Sequence, residues 1–181
     1  MNMALKDTAD SYGAITRWLH WLMALAMVAL FALGLWMVGL TYYDPWYNRA
    51  PQFHKSVGMV FLAALVARVL WRFINPKPEP ETHSALERHT ATLVHWSLYA
   101  LLFALCISGY LIATAKGQPI AIFSGFEIPA IWKQDGLETP AGVVHEWLAW
   151  ITIALASVHA AAAFKHHFWD RSRTLVRMWR G

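Results

Sequence analysis

Four histidines stand where an imidazole inside an apolar helix needs a partner: His20, His54, His145 and His159, out of nine in 181 residues. Ionisable side chains are costly in a membrane and usually face a cofactor, a partner or a water-filled space. His145 and His159 are fourteen positions apart, close to four helical turns. They therefore share one helix face and lie roughly 21 Å apart along its axis. One falls near each end of the same apolar stretch, and depth selects the partners. His20 lies at the level of His159, and His54 at the level of His145. Two opposed imidazoles at each level could ligate a haem iron from both sides. Filling both axial positions leaves no open site for oxygen, which favours electron transfer over oxygen activation. Zinc and proton-relay roles use the same residue type. Zinc is the poorer match, because only Glu146 supplies a carboxylate beside either pair.

Some histidines have ordinary readings. His95 lies near the same end of the third apolar stretch and competes with His20 for a place opposite His159. His83 and His89, in or near the second connection, and His166 and His167, among basic residues after the fourth stretch, read as solvated or interfacial side chains. A functional alternative is that Arg17, Lys165, His166 and His167 hydrogen-bond haem propionates, which need cations at the membrane surface. Gly34, Gly58 and Gly109 suit close helix packing in lipid, and equally the approach of a flat macrocycle to a backbone.

The elements that position these residues follow from composition. The chain is 57% hydrophobic and 14% charged, against roughly a quarter charged in soluble domains. An apolar helix needs about 20 residues to cross the hydrocarbon. Four stretches meet that length: about Ile15 to Leu40, His54 to Ile74, Ala91 to Ala115 and Ala141 to Phe164. The expected fold is an all-α, integral membrane four-helix bundle forming one domain over residues 1–181. The first stretch is too long for a cleaved signal peptide and lacks a small-x-small site after it. Tyr42, Tyr43, Pro45, Trp46 and Tyr47 form an aromatic belt and turn. Asn75 to Pro80 stops the second helix, because proline cannot continue the hydrogen-bond ladder. Arg68 and Arg72, near that end, are expected to snorkel to the interface. The connection from Lys116 to Pro140 is too broken by Pro and Gly to span, and is expected to lie on the membrane surface.

Lysine and arginine are distributed unevenly. Lys6, Arg17, Arg68, Arg72, Lys77, Arg88, Lys165, Arg171, Arg173, Arg177 and Arg180 fall on one side; Arg49, Lys55, Lys116 and Lys133 fall on the other. The positive-inside rule then places both termini in the cytoplasm of a multi-pass membrane protein. The net charge of +4 marks orientation rather than nucleic-acid binding. The single Cys106 excludes an internal disulfide, and there is no C-x-x-C-H for covalent haem. Four-cysteine zinc or iron–sulfur sites are excluded too.

RWLHW (Arg17 to Trp21), HKSVG (His54 to Gly58), RVLWR (Arg68 to Arg72), HEWLAW (His145 to Trp150) and HAAAAFKHHFW (His159 to Trp169) resemble the bacterial cytochrome b561 family, in the right order over nearly the whole chain. GLWMV (Gly34 to Val38) and the turn from Tyr42 to Tyr47 resemble one branch of it. The resemblance implies a four-helix cytochrome with two non-covalent b haems. It carries the axial ligands onto His20, His54, His145 and His159, and leaves His95 outside the ligand set. It also implies electron exchange between periplasmic superoxide and membrane quinone (ubiquinone or menaquinone), a superoxide:quinone oxidoreductase activity.

Lys55, directly after His54, and Arg49 would steer an anion toward the outer site; anchoring of the second helix is the ordinary role of Lys55. No residue has the setting of a general acid or base, and one-electron transfer needs none. Three rival readings are weighed beside this one. The chain could be a haem b subunit of a larger quinone-linked dehydrogenase. It could donate electrons to a periplasmic partner, such as a small isoprenoid- or quinone-binding protein. It could be a haem-free transport or interaction protein whose histidines serve protons or metal. Lipid is a partner under every reading.

Overall fold

The computed structural model describes residues 4–81, 84–123 and 125–180; His83 lies outside the described residues. Four long helices dominate: α1 (Ala14–Met37), α2 (Arg49–Ile74), α3 (Ala85–Thr114) and α4 (Glu138–Phe168). All four are long and apolar enough to cross a bilayer. The protein is a four-helix membrane bundle. Helices α2, α3 and α4 start before their apolar stretches, most clearly α3, which starts at Ala85 rather than Ala91, while α1 ends at Met37, short of the expected Leu40. Ser84 accepts the Glu87 N–H at 3.4 Å and caps a polar first turn that hydropathy alone does not reveal.

The apolar side chains mostly face outward. Leu25, Val28, Leu70, Phe73 and Val158 are exposed, as lipid-facing residues of a bundle are. The buried core is small: Met23, Phe61, Leu65 and Tyr99, with Ala26, Leu30, Phe103 and Cys106 packed around it. It joins α1, α2 and α3. Helix α4 packs mainly on α3 and meets α1 at few points. The seam between α4 and the α1–α2 pair is therefore loosely closed by protein, and the four candidate histidines lie along it.

The two ends of the bundle are finished differently. At one end the connection after α3 folds back as a short antiparallel hairpin, β1 (Ile120–Ile122) and β2 (Phe126–Ile128), with Ile120 opposite Ile128. Ile120 and Ile122 are buried, and Ser56 and Gln52 of α2 hold the hairpin: the Ala121 carbonyl accepts from Gln52 Nε2 at 2.6 Å and from Ser56 Oγ at 3.0 Å. The sequence expectation was an irregular surface segment. Two three-residue strands are too short to leave a periodic signal, so the hairpin is a finding of the structure.

At the other end, a short helix α5 (Thr174–Arg180) ties both termini to the α2–α3 connection. Arg177 is buried; its guanidinium donates to the carbonyls of Glu79 at 3.0 Å and Ala9 at 3.1 Å, and to Glu81 at 3.3 Å. Glu79 N–H in turn donates to Ala9 O at 2.8 Å. Gly13 is required where the N-terminal segment turns into α1: a Cβ there would lie 2.4 Å from the Leu5 carbonyl oxygen.

Candidate functional site

The histidines form two clusters, one at each end of the α4 seam. At the hairpin end, His54 of α2 and His145 of α4 face each other with ring centroids 6.3 Å apart and planes at 75°. At the terminal end, His20 of α1 and His159 of α4 repeat the arrangement at 6.5 Å and 75°. The helical period produces this: fourteen residues of α4 return the second imidazole to the same face.

These separations can be compared with what a six-coordinate iron demands. Two in-line metal–imidazole bonds of about 2.0 Å, plus two ring radii of about 1.1 Å, put the centroids about 6.2 Å apart. Both pairs meet that spacing. His95 of α3 lies 5.1 Å from His159, too close for two such bonds in line. His20 and His95 thus differ in their distance from His159, a difference that depth alone does not show.

The surroundings fit a cofactor at the hairpin end. His145 Nδ1 lies 2.9 Å from the Ser108 hydroxyl and 3.1 Å from the Leu105 carbonyl. Ser108 Oγ spends its own proton on the Leu105 carbonyl at 3.0 Å. Its oxygen therefore accepts, and His145 carries its proton on Nδ1. That tautomer leaves the Nε2 lone pair for a metal, the usual arrangement of a ligand imidazole and its outer partner. His54 Nδ1 is buried with no partner among the described residues, an arrangement that calls for a group still to be supplied.

The glycines bear on the fit as well. A Cβ on Gly34 would lie 3.5 Å from His54 Cε1, and one on Gly109 would lie 3.2 Å from His145 Cε1. Gly109 gives the His145 ring its room, whereas a Cβ on Gly34 would only touch His54. A Cβ on Gly58 would meet nothing within 4 Å, so its helix face is open. Among the described residues no group of three or more His, Cys, Asp and Glu is assembled for a metal ion, which weakens the zinc alternative.

The terminal end is built from different partners. Arg68 does not snorkel away: its Nη2 lies 3.0 Å from His20 Nδ1, and its Nε donates to Tyr99 Oη at 3.1 Å. Arg72 lies over the rings of Trp96 and Tyr99, 5.7 Å from each centroid. Aromatic faces and an imidazole inside the bundle compete with the interface for these cations, and they prevail. Residue type and depth in the sequence do not distinguish the two outcomes.

The four candidate propionate contacts divide into two pairs. Lys165 and His166 both meet Asp170, at 2.7 Å and 2.6 Å. Arg17 donates to the Trp179 carbonyl at 3.2 Å, but its Nε is buried without a partner among the described residues, as is His167 Nδ1. His89 bonds the Ala85 carbonyl of its own helix at 2.7 Å, as an interfacial residue would. Ser108, Leu105 and Arg68 are the partners that sequence reading passed over. Ser108 lies directly before Gly109 on α3, but nothing in the sequence aims it at His145.

The family described as prokaryotic cytochrome b561 matches residues 11–181. The chain is 48% identical over 178 residues to "Cytochrome b561 homolog 2" of Escherichia coli (strain K12), covering 97% of this chain and 95% of that protein. It is 28% identical over 174 residues to "Probable superoxide oxidase CybB" of Yersinia pestis, covering 92% and 94% respectively. "Cytochrome b561 homolog 1" of Escherichia coli (strain K12) is 27% identical over 128 residues, or 69% of this chain and 72% of that one.

Proposed function

The chain belongs to the prokaryotic cytochrome b561 family, a multi-pass protein of the bacterial inner membrane that transfers electrons with haem b, and from that premise we propose that it carries them between two haem levels on the α4 seam. His54 and His145 hold one b haem, and His20 and His159 hold the other. The observation that carries the proposal is the matched pair of centroid separations, 6.3 and 6.5 Å, at opposite ends of one helix face. A six-coordinate haem iron supplies reversible one-electron chemistry with little change of ligation. The protein's part is to fix the imidazoles, keep water from the seam and neutralise the propionates. Arg17 and His167, with buried nitrogens lacking partners among the described residues, are the better placed for the last task. Lys165 and His166 would have to share Asp170 with it.

The single membrane domain spans residues 1–181, with both termini in the cytoplasm. Eleven of fifteen lysines and arginines at the terminal end and its flanking helix ends support that orientation. The hairpin end then faces the periplasm. Superoxide is the proposed donor there and membrane quinone the acceptor. The similarity to a protein named as a probable superoxide oxidase and the cations Arg49 and Lys55 support this reading. Service as the haem subunit of a larger quinone-linked complex uses the same two levels and differs only in the donor.

The test is a dithionite-reduced minus oxidised spectrum of the detergent-purified chain, with pyridine-haemochrome quantitation. Two b haems per chain are expected. A colourless protein after expression with ample haem would overturn the proposal and return the histidines to a proton or metal role.

A further inference from the structure

The outer partners of His145 and His20, one histidine of each pair, are opposite in electrical character. Resting on the two-haem reading above, we infer that the terminal-end site is poised at the higher potential, so that an electron falls from the His54/His145 level to the His20/His159 level.

At the hairpin end, His145 Nδ1–H donates to two acceptors, the Leu105 carbonyl at 3.1 Å and the Ser108 oxygen at 2.9 Å. Ser108 is buried, so water does not dilute the interaction. An acceptor on the outer nitrogen makes the imidazole a more basic ligand. A more basic ligand favours the ferric state, which carries one more positive charge, and lowers the potential. The charged residues next in sequence to this pair, Lys55 and Glu146, have opposite signs.

At the terminal end, the group beside His20 Nδ1 is a guanidinium at 3.0 Å. Arginine has only donors. His20 Nδ1 therefore accepts from Arg68 here; iron on Nε2 would move the proton to Nδ1, and Arg68 would then offer that N–H no acceptor. The ligand is left without the support that Leu105 and Ser108 give His145. The fixed charge acts in the same direction. Arg68 is held by Tyr99 whichever nitrogen of His20 carries the proton, and Arg72 stands over the same Tyr99 ring at 5.7 Å. Two cations inside the bundle penalise the ferric charge more than the ferrous. No carboxylate is bonded or ion-paired to Arg68 or Arg72 among the described residues. Ligand basicity and local charge thus give the same ordering, and the step is balanced: one electron moves inward, and no bond forms or breaks.

The experiment is potentiometry of the haem-loaded protein in detergent. Haem per chain is counted first, so that loss of the two-haem reading shows as a wrong count rather than a wrong potential. The single-haem variants His145→Ala and His20→Ala assign each midpoint to its level. The higher midpoint is expected at the His20/His159 level. Arg68→Gln should shift the one-electron partition between the levels at least tenfold toward the hairpin end, which is 59 mV for a one-electron couple, and Arg68→Lys should restore most of it. A higher midpoint at the His54/His145 level would overturn the inference, as would unchanged midpoints in an Arg68→Gln protein that keeps both haems. Should Arg68→Gln fail to hold haem, the ordering in the unaltered protein decides.

Discussion

His95 and His159 stand 5.1 Å apart, centroid to centroid, nearer than His20 stands to the same ring. Proximity and ligand geometry therefore point to different partners. An in-line pair of iron–imidazole bonds needs about 6.2 Å, so on the proposed two-haem reading the nearer histidine falls outside the ligand pair. We expect His20→Ala and His159→Ala to lose the same haem, and His54→Ala and His145→Ala to lose the other. His95→Ala should retain both, as read by pyridine haemochrome and difference spectra. Loss of a haem in His95→Ala with retention in His20→Ala would reverse the pairing at that end.

The glycines offer a graded test of the same geometry. A Cβ on Gly34 would meet His54 Cε1 at 3.5 Å, an ordinary contact, whereas one on Gly109 would meet His145 Cε1 at 3.2 Å. Gly34→Ala should leave both haems in place. Gly109→Ala should displace the His145 ring by a few tenths of an ångström and alter the spectrum or occupancy of one haem only. Gly58 has open space around it, so a bulky Gly58→Leu should lower haem content without a clash inside the protein itself. Full haem in Gly58→Leu would show that no macrocycle lies against that face.

The spans, and the facing of His145 on His54 and of His159 on His20, are legible in the sequence because both depend on one-dimensional rules: apolar length and a 3.6-residue period. What decides between His20 and His95 is a distance between α1 and α4 against one between α3 and α4, and no spacing along the chain encodes it. The inward turn of Arg68 was misread for a related reason. Depth near a helix end suggests snorkelling, but Tyr99 and His20 on neighbouring helices hold the guanidinium. Ser108 is a small polar residue in an apolar run, and only its register against α4 brings it to His145. The hairpin escaped because its strands are three residues each. Their pairing depends on Ser56 and Gln52 of α2, more than sixty residues away.

Ser56 is the fastening of that hairpin. Its hydroxyl shares one proton between the carbonyls of Gln52 and Ala121, both at 3.0 Å, and accepts the Phe123 N–H at 3.1 Å. Phe123 itself is held in the left-handed region, at φ 50°, with its ring 6.1 Å from Phe53. Ser56→Ala would leave that N–H without its acceptor, at about 1–3 kcal/mol. The expected result is a lower unfolding temperature in detergent and faster proteolysis between Lys116 and Leu137. An unchanged cleavage rate would mean that the apolar contacts of Ile120 and Ile122 hold the hairpin alone.

The terminal clasp should loosen in acid. Burial tends to raise the Glu81 carboxyl, but the Ser172 hydroxyl, the Arg173 N–H and the Arg177 guanidinium outweigh it and hold the group below its ordinary value. An acid depressed in the folded state contributes stability above its unfolded pKa, about 4.3 for glutamate, and loses it as pH falls through the folded value. Cleavage near α5 should therefore accelerate as pH drops below that range. Glu81→Gln should show faster cleavage at neutral pH and a flatter acid response. A wild-type profile in Glu81→Gln would assign the clasp to Arg177's carbonyl contacts instead.

The proposed donor makes the last prediction, because superoxide is an anion and its encounter rate is sensitive to charge. Lys55 directly follows His54 in α2, and Arg49 opens the same helix at the hairpin end. Cations at the mouth of a site raise the association rate of an anion, and added salt screens that gain. The screening length is about 10 Å at 0.1 M salt, so the effect should be strongest in dilute buffer. Lys55→Gln should slow haem reduction by superoxide several-fold at low ionic strength and flatten its salt dependence, while reduction by a neutral quinol stays within twofold. Stopped-flow absorbance of the reduced haem band reads both rates. If salt leaves the superoxide rate of the unaltered protein unchanged, Lys55 serves only to anchor α2. If superoxide reduces neither haem, the donor is a partner protein, and the electron enters by docking rather than by steering.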